Sequence, residues 1–100
     1  MSPRYSTEQK DMIGIYIALY LNVYASGKLL EESRALYESN PAAPEREAVK
    51  KSVDLLLQSI DMLKSTVPGS IKTRVYAGKK ISDLEALAID TLLKLEQKSQ

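Results

Sequence analysis

The chain contains no cysteine and no histidine among its 100 residues. Without a thiol or an imidazole it has no disulfide, no thiol nucleophile, no imidazole base and almost no means of holding a transition metal, so no cofactor is expected. Glycine and proline are scarce, with four of each, and they punctuate the chain rather than fill it. An excess of charge of one sign is missing too, since 14 Lys plus Arg against 13 Asp plus Glu leave a net charge of +1. No global field recruits nucleic acid or an acidic membrane, and any electrostatic site must be local. The longest apolar stretch, Met12 to Ala25, falls short of the roughly 18 residues a membrane span needs. One positive charge near the start, with no apolar run before residue 12, is the wrong layout for a cleaved secretory signal. These features predict a cytoplasmic protein with no membrane span. A hundred residues form one domain, which buries roughly two-thirds of its unfolded surface.

The segment MIGIYIALYLNVYA, residues 12–25, is the strongest positive signal, because only Gly14 and Asn22 in it are not apolar. At about 100° per residue, Met12, Tyr16, Leu19 and Val23 share one face of a helix, with Ile13, Ile17, Tyr20 and Tyr24 beside it. Gly14, Ala18, Asn22 and Ala25 form a ridge of small side chains opposite. A helix so apolar around its circumference must be covered on more than one side, by its own chain or by another.

Helical periodicity runs through the whole chain, and the predicted fold is all-α. It is a small helical bundle, with a long antiparallel helical hairpin, a C-terminal helix and a short basic connecting helix, in a single domain over 1–100. Ser6 with Gln9 has the spacing of a capping box, placing the first helix start near Thr7. The stripe Met12, Tyr16, Leu19, Val23, Ser26, Leu30, Ser33, Tyr37 then keeps its three- and four-residue steps through Gly27. One helix over about 7–39 is expected, with a soft point at 26–27. The NPAAP segment breaks it, since Pro44 pushes Ala43 away from helical geometry. A second helix over about 44–66 opens with Pro44, Glu45 and Glu47. Its heptad seam of Val49, Val53, Leu56, Ile60, Leu63 and Val67 suits antiparallel packing on the first. Leu55 and Met62 give it another apolar strip. Ser82 with Glu85 marks a last helix over about 82–97, with Leu84, Leu87, Ala88, Leu92 and Leu95 on one face and Ala86, Ile89 and Leu93 on another. The intervening residues 68–81 admit a short helix over about 70–77, capped by Ser70, or an extended piece through Ile71, Thr73 and Val75. The short helix is the preferred reading.

Two surfaces are candidates for function. The first is a partner interface of Gly14, Ala18, Tyr16, Tyr20, Tyr24, Leu55, Met62, Ile89 and Leu93, on the ground that three helices are too few to cover every apolar strip. It fits a non-enzymatic interaction protein that self-associates or docks as a small subunit of a larger assembly. The second is a phosphate or nucleic-acid contact through Lys72, Arg74, Tyr76, Lys79 and Lys80, a basic run with an aromatic before a helix start. The carboxylate pairs Glu31 with Glu32 and Glu45 with Glu47 lie in polar stretches that imply no apolar pocket to raise a pKa, so no catalytic role is expected.

Overall fold

The computed structural model describes residues 7–98, with the side chains of 7–9, Tyr76 and Lys98 left out of the description. Helices α1 (Thr7–Ser39) and α2 (Ala43–Thr66) form an antiparallel hairpin, and α3 (Ile81–Lys98) packs chiefly against α2. A 3-10 turn over Ser70–Lys72 and the strands β1 (Arg74–Tyr76) and β2 (Lys79–Lys80) connect α2 to α3. The predicted capping residue Ser6 lies outside the described residues.

Helix α1 runs through Gly27 without a break. The glycine costs about 1 kcal/mol of helix propensity, but buried Leu19 and Val23 before it and Leu30 and Ser33 after it anchor the helix on both sides of it. Gly27 faces α3. A Cβ built there would stand 3.7 Å from Leu84 Cδ2, an ordinary contact.

The reversal between α1 and α2 uses Asn40 to Ala42. Ala42 is extended, with φ −118° and ψ 163°, and it precedes the first helical residue. Ala43, expected outside the helix, is therefore its first residue, with Pro44 second. Proline is tolerated there because the first-turn amide it lacks would have no carbonyl to pair with.

Short side chains set the register of the hairpin. The Ser26 and Ser59 hydroxyls are 3.3 Å apart, and those of Ser33 and Ser52 are 3.0 Å apart and buried. Seven residues up α1 thus match seven residues down α2, one heptad each. Ser52 spends its own proton on the Ala48 carbonyl at 2.8 Å, so Ser33 donates to the Ser52 oxygen. Carried to the end of α2, this register puts Thr66 alongside Leu19, the first buried residue of α1 among the described side chains. Residues 7–18 of α1 project beyond its partner helix.

The short helix expected over 70–77 does not form. Only Ser70–Lys72 make a turn of 3-10 helix; a two-stranded antiparallel hairpin follows, with Arg74 paired to Lys80 and Tyr76 to Lys79. The β-branched residues decide it, with Ile71, Thr73 and Val75 half-buried and Lys72 and Arg74 between them exposed, a period of two. Positive φ at Ala77 (49°) and Gly78 (76°) supplies the tight turn that twisted strands favour. The expected Ser82 and Glu85 capping box is also corrected. Asp83 caps α3 by accepting the Lys80 amide at 2.9 Å, while Glu85 pairs with Lys64 of α2 at 3.1 Å. The helix begins earlier than Ser82, so the side chain three residues into it is Asp83.

Replacing Ser52 with Ala strands the buried Ser33 hydroxyl, and we expect a loss of about 1–2 kcal/mol. In a double-mutant cycle measured by urea unfolding, Ser33→Ala and Ser52→Ala together should cost less than the two single changes added. Strict additivity would show that the pair does not act as a unit.

Candidate docking surface

Two flanks of α1 are apolar, and its neighbours lie along one of them. The inner flank of Leu19, Val23, Leu30 and the serines is buried against α2, with Gly27 turned to α3. The outer flank reads Ile15, Ala18, Asn22, Ala25, Leu29, Glu32, Leu36, a second series of three- and four-residue steps. Of these, Ile15 is 52% exposed, Leu29 43% and Leu36 64%, and Ala18, Asn22 and Ala25 are exposed as well.

Helix geometry fixes where this flank sits. On α1 the serines that meet α2 lie between the Leu29 line and Gly27, so Leu29 and Asn22 are on the side of the hairpin away from α3. On α2 the same holds for Leu55 and Met62, which lie beyond Ser52 and Ser59 from Lys64, the residue paired to α3. They are 47% and 59% exposed. By the hairpin register Leu29 is level with Leu56 and Asn22 with Leu63, so Leu55 and Met62 stand within one residue of those levels. An exposed face two helices wide results, apolar at Ala18, Ala25, Leu29, Leu36, Leu55 and Met62 and interrupted by Asn22 and Glu32 on α1 and by Lys51 and Gln58 on α2.

The expected interface residues divide between several surfaces. Gly14 and Ala18 are exposed on the outer flank of α1, and a Cβ at Gly14 would meet nothing within 4 Å. Leu55 and Met62 join that face. Tyr16 and Tyr20 are half-buried instead, because they turn towards the inner flank, and the Tyr20 hydroxyl lies 3.4 Å from Thr73 Oγ1. Tyr24 is exposed beside the β-hairpin, where it shares an apolar groove with Ile17, Tyr20, Leu21, Thr73, Arg74 and Val75. Ile89 and Leu93 are exposed on α3 past Glu85, on the far side of α2 from Leu55, so the structure does not bring them to the same face. Ile15, Leu29 and Leu36 were not among the expected interface residues. Their seven-residue recurrence through Asn22 was the signal that would have found them.

The basic segment is gathered by the β-hairpin, which sets Arg74 opposite Lys80. Lys72 is exposed, and the Arg74 guanidinium donates to the Gly78 carbonyl. Lys79 is half-buried in a cleft lined also by Glu31, Arg34 and Glu38. Two amides at the start of α3 are occupied: Lys80 donates to Asp83 at 2.9 Å and Ile81 to the Thr73 carbonyl at 3.0 Å. The positive end of the helix therefore meets a carboxylate of its own chain. The Tyr76 side chain lies outside the described residues.

By length and composition alone, Lys10–Ser39 meets the criterion for a helix that crosses a bilayer, with 28% of its most apolar window buried. A core helix passes the same test. No protein-family model matches the chain, and no curated protein or solved structure matches it either.

Two leucines on α1 separate the inner flank from the outer. Leu30→Ala should lower unfolding free energy by about 3 kcal/mol, since it opens a cavity in the core. Leu36→Ala should change it by less than about 0.5 kcal/mol. Equal losses in chemical denaturation would mean that the outer flank is already covered.

Proposed function

We propose that this protein is a non-enzymatic helical interaction module that self-associates or docks as a small subunit in a larger assembly, and that it works in the cytoplasm. The observation that carries this reading is the open face of Ile15, Asn22, Leu29 and Leu36 on α1 with Leu55 and Met62 on α2. Apolar patches of this kind on small proteins mark contact sites, because leaving them in water costs roughly 25 cal/mol for each Å². The contact would be helix against helix, with the small residues Ala18, Asn22 and Ala25 allowing close approach of a partner backbone.

Leu29→Glu with Met62→Glu tests the reading at the face itself. Both side chains are exposed, so the variant should keep its helical circular dichroism and lose no more than about 1 kcal/mol of stability. Molar mass by light scattering across a dilution series should fall to that of one chain, or a captured partner should be lost. Wild-type protein that stays monomeric at every concentration and retains no partner on an affinity column would remove the proposal.

A second reading, an accessory nucleic-acid contact, is favoured by one feature: the groove beside the β-hairpin puts Tyr20 and Tyr24 next to Arg74. Aromatic faces beside a guanidinium suit stacked, unpaired bases. Arg74→Glu with Lys72→Glu should then abolish retardation of single-stranded DNA or RNA and flatten its salt dependence. Absence of retardation by the wild type at low salt would discard this reading.

A further inference from the structure

We infer that the occupant of the open face is a second copy of this chain, docked antiparallel so that α1 packs on α1 about a two-fold axis near Asn22 and Ala25. The inference rests on the docking proposal above and names the partner for the same face.

Three properties of the face point to a copy of itself. The first is its pattern of sizes. Large residues, Ile15 and Leu29, flank a centre of Ala18, Asn22 and Ala25. Laid on its own reverse with Asn22 level with Ala25 of the other copy, the seam puts Leu29 of each chain against Ala18 of the other. The Leu29 to Ala18 contact occurs twice, as an isologous interface requires, while in the end layers Ile15 lies opposite Glu32 and Leu36 opposite Asp11. The Asn22 to Met62 level of the hairpin lies at the same height, so the two Met62 side chains approach each other beside the axis.

The second property is the polar residue at the centre. Asn22 is the one polar side chain between Ile15 and Leu29 on this flank, and an apolar partner would leave its amide unpaired. An amide is its own complement, with donors and an acceptor on the same group. Across a two-fold axis the two Asn22 side chains can satisfy each other, the arrangement by which a single buried Asn fixes register in helical pairs.

Charge and area complete the case. In this register the positions flanking the seam, Gly14, Leu21, Lys28 and Ala35, bring Lys28 over Leu21 of the other copy, where its methylene stem can lie on apolar surface. Along the α1 seam no like charges are opposed. The charged seam residues Glu32 and Asp11 fall in the end layers, open to water. From Leu19 to Leu36 the two-helix face is about 26 Å long and about 20 Å wide, and Ile15 and Ala18 extend it by the width of one helix. Roughly 600 Å² in projection is close to the ~800 Å² per partner of a standard interface, before the relief of the side chains is added.

Because the protein has no cysteine, the arrangement can be tested by disulfide trapping. The variants Asn22→Cys and Ala25→Cys are mixed in equal amounts under mild oxidation, with Lys72→Cys on the exposed 3-10 turn as a control. The antiparallel dimer predicts that the mixed Asn22→Cys to Ala25→Cys product exceeds both self-linked products by about tenfold, and that Lys72→Cys links no faster than free thiols. Predominant self-linkage of Asn22→Cys would overturn the antiparallel arrangement. A dimer by light scattering with no trapped product at either position would overturn the inference while leaving docking through the face intact. A wild-type monomer that binds phosphatidylcholine vesicles, or another protein, through Leu29 and Met62 would overturn it in the same way. A monomer insensitive to Leu29→Glu in every one of these assays would overturn both the inference and the docking proposal.

Discussion

Between α1 and α2 the facing side chains are short, and that shortness governs the rest of the molecule. Ser26 meets Ser59 and Ser33 meets Ser52 one heptad apart, so the two backbones approach closely and the hairpin has one register. A slip of one residue would separate both hydroxyl pairs and leave a buried donor without an acceptor. The inner aliphatic ridge closes over these pairs, with Leu30, Leu56, Ile60 and Leu63 fully buried. Close approach also has an outward consequence. Two helices drawn together over serines present their next row of residues, Leu29 and Leu36 with Leu55 and Met62, as a shared shelf rather than as separate ridges.

That shelf lies on the side of the hairpin that α3 leaves open. α3 covers one side of the hairpin, through Ile81, Leu84 and Ala88, which are buried, and through the Lys64 to Glu85 ion pair. Among the described residues nothing comparable covers the other side. A fourth helix in that position would complete a bundle of ordinary design. Helix α1 is correspondingly less one-sided than α2 or α3, whose apolar residues are concentrated on one face. Its projecting turns carry Ile15 on the outer flank, while Met12, Ile13 and Ile17 are exposed on other sides of the helix.

Much of this architecture was legible in the residues. The heptad of Val49 through Leu63 and the three-and-four stripe of α1 announce two long helices facing each other, because an apolar period of 3.5 residues has few other uses. Leu55 and Met62 were legible as a second strip for the same reason. The connector was not, since Ile71, Thr73 and Val75 are compatible with either period over so few residues, and tertiary contact of Tyr20 with Thr73 tips the choice. The start of α3 was misplaced because Ser82 and Asp83 are both good helix-start residues, and only the backbone shows which amide is in reach. The tyrosine ladder misled in another way. Its spacing places Tyr16, Tyr20 and Tyr24 on one line, yet that line is tilted towards the β-hairpin, which the sequence did not reveal. The outer seam escaped notice because Asn22 and the alanines read as a ridge of small residues, and their continuation into Leu29 and Leu36 lies beyond the apolar run.

The central claim is that α1 has two apolar flanks, one sealed within the chain and one sealed only by association. Methyl NMR with a soluble paramagnetic probe reads both at once across a concentration series. In dilute protein the account predicts strong broadening of the Leu29, Leu36 and Met62 methyls and none for Leu30 and Leu56, with the first group becoming protected as concentration rises or a partner is added. Methyls of Leu29, Leu36 and Met62 that are shielded at every dilution, or that stay open at all concentrations and with every partner, would contradict it.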